Sequence, residues 1–217
     1  NAATNAKLTA GDTVTVADSG TNIAALAAAD FTAFTNVDSY DASNDVVALT
    51  VAQFNAIDAT GATFDATDAL NVTSAAGADL LNFNGVGGGV VTLLLANLAA
   101  GGDTVSNFAV GSDVIDTQAF TAITKAYEEV ATVAGDITAD SNVIVFGGTT
   151  TIAAAAAAIA ADATVTGAEG LIVFSDGFDT FVYRTDNLAA DGTETLLVTL
   201  TGVTNPLTLV TGDFLVA

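Results

Sequence analysis

The chain contains no cysteine and no histidine. Disulfides, thiol redox chemistry, a Ser-His-Asp or Cys-His nucleophile and an ordinary zinc site are therefore all excluded. Tryptophan and methionine are also missing, and Pro206 is the one proline. Cations are nearly absent: Lys7, Lys125 and Arg184 stand against 25 acidic residues, for a net charge of -22. Such a chain cannot neutralise phosphate, so DNA and RNA backbones are excluded as partners. No charge-free apolar run reaches the roughly 18 residues of a membrane-spanning helix, and Ile152–Ala161 is both short and alanine-rich. The start, Asn1-Ala2-Ala3-Thr4-Asn5, has neither the initiator Met nor the apolar region of a signal peptide, and reads as that of a processed product or a fragment.

What is present is length enough for one or two domains with a sizeable core, at 217 residues. The 51% hydrophobic content is swollen by alanine, so the core must lean on Val, Leu, Ile and the 12 Phe. With so many carboxylates, the chain would repel itself strongly unless salt or divalent cations compensate, which points to the cell exterior or sea water. Calcium is the natural compensating ion, because Asp, Asn and backbone carbonyls are its ligands. The plainer alternative is a halophilic surface of solvated acids without specific sites.

Up to about Gln118, short β-like runs alternate with Asp, Asn, Gly and Thr clusters. Thr13–Ala17, Val46–Val51, Ala69–Thr73 and Val90–Leu95 read as strands. Their spacing of roughly 20 to 35 residues suggests a repeated unit of the kind that stacks in solenoids. Asn22–Leu26 and Ala52–Ile57 each follow a strand and read as helical turns, and Ser39–Asp45 reads as a polar turn between them. Beyond Phe120 the texture changes. Phe120, Ile123, Tyr127 and Val130 have helical spacing over 119–133, and a second helix is expected over Ile152–Ala161 after the hydroxyl cluster Thr149-Thr150-Thr151. Asn142–Phe146, Leu171–Phe174, Thr180–Arg184, Thr195–Thr201 and Leu207–Val210 read as an antiparallel meander, with a tight hairpin at Ser175–Asp179 and a longer acidic loop at Thr185–Glu194. The expected fold class is mainly β. A solenoid- or sandwich-like region spans residues 1–118, and an α+β region with an antiparallel β-meander and two short helices spans residues 119–217.

Three segments have the composition of calcium sites, with carboxylates on turns that glycine permits. The first runs from Gly101 to Asp116, with Asp103, Asp113 and Asp116 as candidate ligands. The second is the hairpin with Asp176 and Asp179, and the third is the loop with Asp186, Asp191 and Glu194. Turn chemistry alone also favours Asp and Gly in such places. Catalysis would have to rest on carboxylates alone. With 25 acids some Asp/Glu pair is inevitable, no G-x-S-x-G elbow occurs, and only Tyr40, Tyr127 and Tyr183 could join a sugar-stacking platform. The chain is expected not to be an enzyme.

The stretch GGDTVSNFAVGSDVID, residues 101–116, resembles the end of the calcium-binding repeat region in RTX (repeats-in-toxin) proteins exported by type I secretion. Asp213-Phe214-Leu215-Val216-Ala217 is similar to the acidic and hydrophobic end of type I secretion signals, and the N-terminal texture is similar to surface-layer and RTX adhesin segments. The chain departs from the family in having no uninterrupted G-G-x-G-x-D nonapeptide; Gly85-Val86-Gly87-Gly88-Gly89 has no Asp. The resemblance implies a secreted, calcium-binding protein at the cell surface. Two readings follow. In one, the chain is a non-catalytic surface-layer or matrix-filament subunit that folds and self-assembles with calcium, with cell-surface polysaccharide as a further partner. In the other, it is the C-terminal secretion and folding module of a larger exported enzyme or adhesin.

Overall fold

The computed structural model describes residues 11–96, 102–117, 127–167, 169–190 and 192–216. They form a mostly β structure with four short α-helices, built on three sheets.

The five-stranded sheet is parallel throughout, in the order β15-β9-β7-β5-β3. Its strands are β3 (Val46–Thr50), β5 (Ala69–Thr73), β7 (Val91–Leu94), β9 (Val114–Asp116) and β15 (Phe214–Leu215). Alternation decides which face is buried: Val47 and Leu49 point inward from β3 while Val46, Ala48 and Thr50 are exposed. Pairing register then lines up Leu49, Val72, Leu93, Ile115 and Phe214 as one inward column across all five strands. The three-stranded sheet is also parallel, in the order β1 (Thr15–Asp18), β2 (Ser39–Ala42), β4 (Thr63–Phe64). Thr15 lies opposite Ser39 and Ser39 opposite Thr63, an offset of 24 residues at each step.

The seven-stranded sheet is mixed. It comprises β6 (Leu80–Asn82), β8 (Asp103–Ser106), β10 (Tyr127–Val130), β11 (Val143–Thr149), β12 (Gly170–Ser175), β13 (Asp179–Thr185) and β14 (Glu194–Thr201). Their order is β10-β11-β12-β13-β14-β8-β6. Strands β12, β13 and β14 form antiparallel pairs, while β14 runs parallel to β8 and β15 runs parallel to β9. The late part of the chain thus extends both larger sheets.

Four helices accompany these strands among the described residues. α1 (Gly20–Ala24) is N-capped by the Ser19 side chain, and α2 (Ala28–Ala33) follows it. α3 (Val51–Thr60) has a capping box, with Thr50 Oγ1 accepting the Gln53 N–H and the Gln53 side chain accepting the Thr50 N–H. Gln53 is buried, and its Nε2 also donates to the carbonyls of Ala24 and Leu26, tying α3 to the end of α1. Gly61 at φ 74° ends α3 in the left-handed conformation that glycine tolerates. α4 (Ile152–Ala161) is capped by Thr151, as the hydroxyl cluster suggests. Its small buried residues Ala155 and Ala156, with Ile159, pack on a second core of Ile144, Phe146, Ile172 and Phe174.

Gly20 shows how closely α1 approaches β3. A Cβ there would lie 1.8 Å from the Val46 carbonyl oxygen, and backbone cannot move aside as a flexible side chain can. Gly20→Ala is expected to cost about 1–3 kcal/mol as a local overpacking defect, read as a lowered urea midpoint.

Several sequence expectations are corrected. Of the helix expected over 119–133, residues 119–126 lie outside the described residues, and Tyr127–Val130 is strand β10, paired with β11. Pairing to a buried strand outweighs helical spacing here. Ser39–Ala42 is strand β2, with Tyr40 and Ala42 buried, so the polar turn is confined to the residues just before Val46. Asp45 there takes φ 55°. Leu207–Val210 is not a strand. Pro206–Thr208 forms a 3-10 turn capped by the Asn205 side chain, since Pro206 fixes φ and lacks an N–H to pair. The meander holds for β12 to β14, but β11 runs parallel to β12 because α4 crosses between them.

Candidate functional site

The candidate carboxylates are best read through the hydrogen bonds that each accepts. Asp113 immediately precedes β9. Its Oδ1 accepts the Val91 N–H at 3.0 Å and its Oδ2 accepts the Ala109 N–H at 2.8 Å. It therefore ties the entry of β9 to the start of β7. Asp213 does the same before β15, accepting the Gly111 N–H at 2.7 Å and the Val210 N–H at 2.8 Å. Asp103 opens β8, with the Asp79 N–H on Oδ1 at 2.9 Å and the Ser74 hydroxyl on Oδ2 at 2.7 Å. All three are buried. Each satisfies main-chain or hydroxyl donors from a distant segment, as a buried acceptor must.

The other candidates are dispersed. Asp116 is half-buried in β9. Asp176 is exposed at the β12–β13 hairpin tip, where its Oδ1 accepts the N–H groups of Phe178 and Asp179. Asp179 accepts the Gly202 N–H at 2.9 Å. Asp186 folds its own loop by accepting the Thr193 N–H at 2.7 Å, and Asp191 lies outside the described residues. Glu194 Oε1 is buried without a partner at the start of β14. Among the described residues, no three Asp or Glu side chains are grouped so as to hold a metal ion.

The candidate ligands do not include Asp68 and Asp213, which are fully buried, or Glu128, which organises a loop; Asp213 enters the sequence reading only within the stretch similar to type I secretion signals. Glu128 accepts from Thr138, Ala139 and Ser141, so residues 138–141 wrap around one carboxylate. The signal for the buried aspartates is legible in retrospect: an Asp directly before an alternating apolar run, as in Asp68-Ala-Leu-Asn-Val and Asp213-Phe-Leu-Val.

Burial raises the carboxyl pKa values of Asp68, Asp103 and Asp113 above the ordinary value of 3.8, although accepted hydrogen bonds oppose the rise. Local side-chain and backbone hydrogen bonds lower those of Asp18, Asp65, Asp140, Asp162 and Asp176. Glu128 is partly desolvated, but its four accepted hydrogen bonds prevail and lower it from 4.5. The two sets act oppositely on stability. For the raised group, the folded state holds the proton more tightly, so its contribution is full below 3.8 and is lost as pH rises through the folded values. For the lowered group, the contribution is present above the ordinary value and is lost on acidification. Urea midpoints measured from about pH 3 to pH 8 are expected to be highest in mild acid and to fall on both sides.

A shallow hollow of ≈ 270 Å³ between α3 and the β6 edge is lined by Asp58, Leu80, Leu81, Asn82, Thr104 and Ser106. Leu80 and Phe178 are the most exposed of the large apolar side chains described, at 73% and 77%. Among the described residues, no helix is long and apolar enough to cross a membrane. Compared with known proteins, the chain matches no protein-family model, no curated protein and no solved structure.

Proposed function

We propose that this chain is a non-catalytic structural protein of the cell exterior, a surface-layer or matrix-filament subunit that folds and self-assembles with calcium after type I secretion. In this reading its N-terminal part is a solenoid of short coils. The observation that carries the proposal is the repeated parallel register. Partners lie 24 residues apart in β1-β2-β4, 23 between β3 and β5, 22 between β7 and β9, and 24 between β6 and β8. Like residues stack at or near those offsets: at 24 residues the Thr15 and Ser39 hydroxyls lie 2.7 Å apart and the rings of Tyr40 and Phe64 pack with centres 5.5 Å apart, and at 25 residues the Asn82 and Asn107 amides meet at 2.9 Å and the rings of Phe83 and Phe108 at 6.2 Å. Stacked units of this kind bury one continuous core and suit a material made of repeating contacts.

Charge supplies the second strand of support. At a net charge of -22, bringing copies together concentrates carboxylates, and divalent cations relieve that repulsion better than monovalent salt does. The fold itself is then expected to gain from calcium, because binding to the folded chain adds to folding free energy. Circular dichroism melts at low salt, with calcium and with a chelator, test this. A clearly lower Tm in chelator is expected, and identical melts contradict the calcium-dependent reading.

A further inference from the structure

Three buried aspartates sit immediately before strands of the five-stranded sheet, and two of them are fully used. Asp113 and Asp213 each accept one N–H on each oxygen. Asp68, before β5, is one donor short. Its Oδ2 accepts the Ala42 N–H at 3.2 Å, while its Oδ1 is buried with no hydrogen-bond partner. The residue is 0% exposed. N–H groups in the turn that would correspond to the second donor are already engaged elsewhere: Phe64 donates to the Val86 carbonyl and Asp65 to the Tyr40 carbonyl. A buried carboxylate oxygen without a partner carries a large desolvation cost.

The surroundings deepen that cost. The turn after β2 and the turn before β5 are stacked, with the Ala69 N–H donating to the Asp45 carbonyl at 2.9 Å. Asp45 and Asp65 lie in these turns and Asp41 near the end of β2, and all three charges act to raise the Asp68 carboxyl. No Lys or Arg side chain is paired with any of them among the described residues, where the one ion pair is Arg184 with Glu169.

We propose that this pair of stacked turns is a binding site for a hard divalent cation, with Asp68 Oδ1 as its inner carboxylate ligand. A proton on Asp68 would neutralise one carboxylate of four, whereas a divalent ion offsets the group. Because no three carboxylates here are grouped as a metal cage, the remaining ligands are backbone carbonyls of the turns and water, which such ions accept among their six to eight oxygens. The site lies outside the three acidic segments that sequence composition singles out. The proposal rests on the calcium reading above only for the choice of ion.

Calcium titration of the full chain by calorimetry, with terbium luminescence as a second probe, tests the site. The wild-type chain is expected to show one more binding event than Asp68→Asn, in which the amide replaces the unpartnered oxygen. Asp45→Asn combined with Asp65→Asn keeps the inner ligand and is expected to weaken the same event roughly tenfold. That double variant decides the matter if Asp68→Asn does not fold. An unchanged titration in Asp68→Asn, or in the double variant, overturns the proposal. So does an Asp68→Asn chain that melts higher at neutral pH with calcium binding intact, since that identifies a proton as the occupant. Light scattering on the same samples separates this site from assembly: loss of the binding event with calcium-driven association retained supports the site, and a wild-type chain that binds at Asp68 but never associates contradicts only the assembly reading.

Discussion

Replacing Asp113 with alanine is expected to destabilise the protein by about 2–4 kcal/mol, because the N–H groups of Val91 and Ala109 would both lose their acceptor in a buried setting. Asp113 is only 4% exposed, so water cannot readily take its place. Some of the loss is offset, since the variant also removes a desolvated charge that Asp213 repels. That relief keeps the cost below the sum of two orphaned donors. Asp213→Ala should behave similarly, with the N–H groups of Gly111 and Val210 exposed to the same loss. Asp113→Asn keeps one acceptor and should fall between alanine and wild type. Asp136, exposed on the surface, supplies the contrast: Asp136→Ala is expected to change stability by no more than about 0.5 kcal/mol. Urea midpoints of the four variants give the comparison, and equal effects at Asp113 and Asp136 would refute the role assigned to the buried carboxylates.

Phe83→Ala is expected to cost about 3–5 kcal/mol, the usual range for emptying a buried aromatic site. Phe83 is the middle ring of three, 6.1 Å from Phe54 and 6.2 Å from Phe108 between ring centres. It is 4% exposed, and the rings it touches come from α3 and from the segment after β8. Removing it opens a void that neither neighbour can fill without leaving its own contacts. Phe178, 77% exposed at the hairpin tip, is the matched control, and Phe178→Ala should be close to neutral. A Phe83→Ala chain with a wild-type melting curve would show that the aromatic series does not bind successive segments together.

The sequence carries the strands that build the core better than it carries their partners. Val46–Thr50, Ala69–Thr73 and Val91–Leu94 announce themselves by β-branched residues and alternation. β4, β6 and β9 are two or three residues long, too short for any period to register, and they exist because neighbouring strands offer them a ladder. β10 was obscured for a different reason: Tyr127 and Val130 lie three apart, which suits one face of a helix as well as a strand whose ends pair with Val143 and Phe146. The helix over Ile152–Ala161 was legible because propensity, cap and length all agree. Among the candidate ligands, Asp176 and Asp186 do fold their own turns by accepting main-chain N–H groups, whereas Asp103 and Asp116 lie in strands. Composition carries no information on which carboxylates turn inward, and so Asp103 and Asp113 read the same as exposed Asp176 and Asp186. Burial follows from pairing between segments about 22 to 24 residues apart, and that pairing is not encoded in any local window.

Association of the folded chain under three conditions tests the structural reading most directly: millimolar calcium, chelator, and monovalent salt of matched ionic strength. Edge strands recruit further strands unless they are blocked, and three cations with one proline leave few blocking residues in the whole sequence. Carboxylate surfaces oppose that contact until divalent ions bridge them. Light scattering with electron microscopy is expected to show ordered assemblies in calcium, their dissolution by chelator, and a much smaller effect of monovalent salt. A chain that stays monomeric at high concentration in calcium would contradict the account.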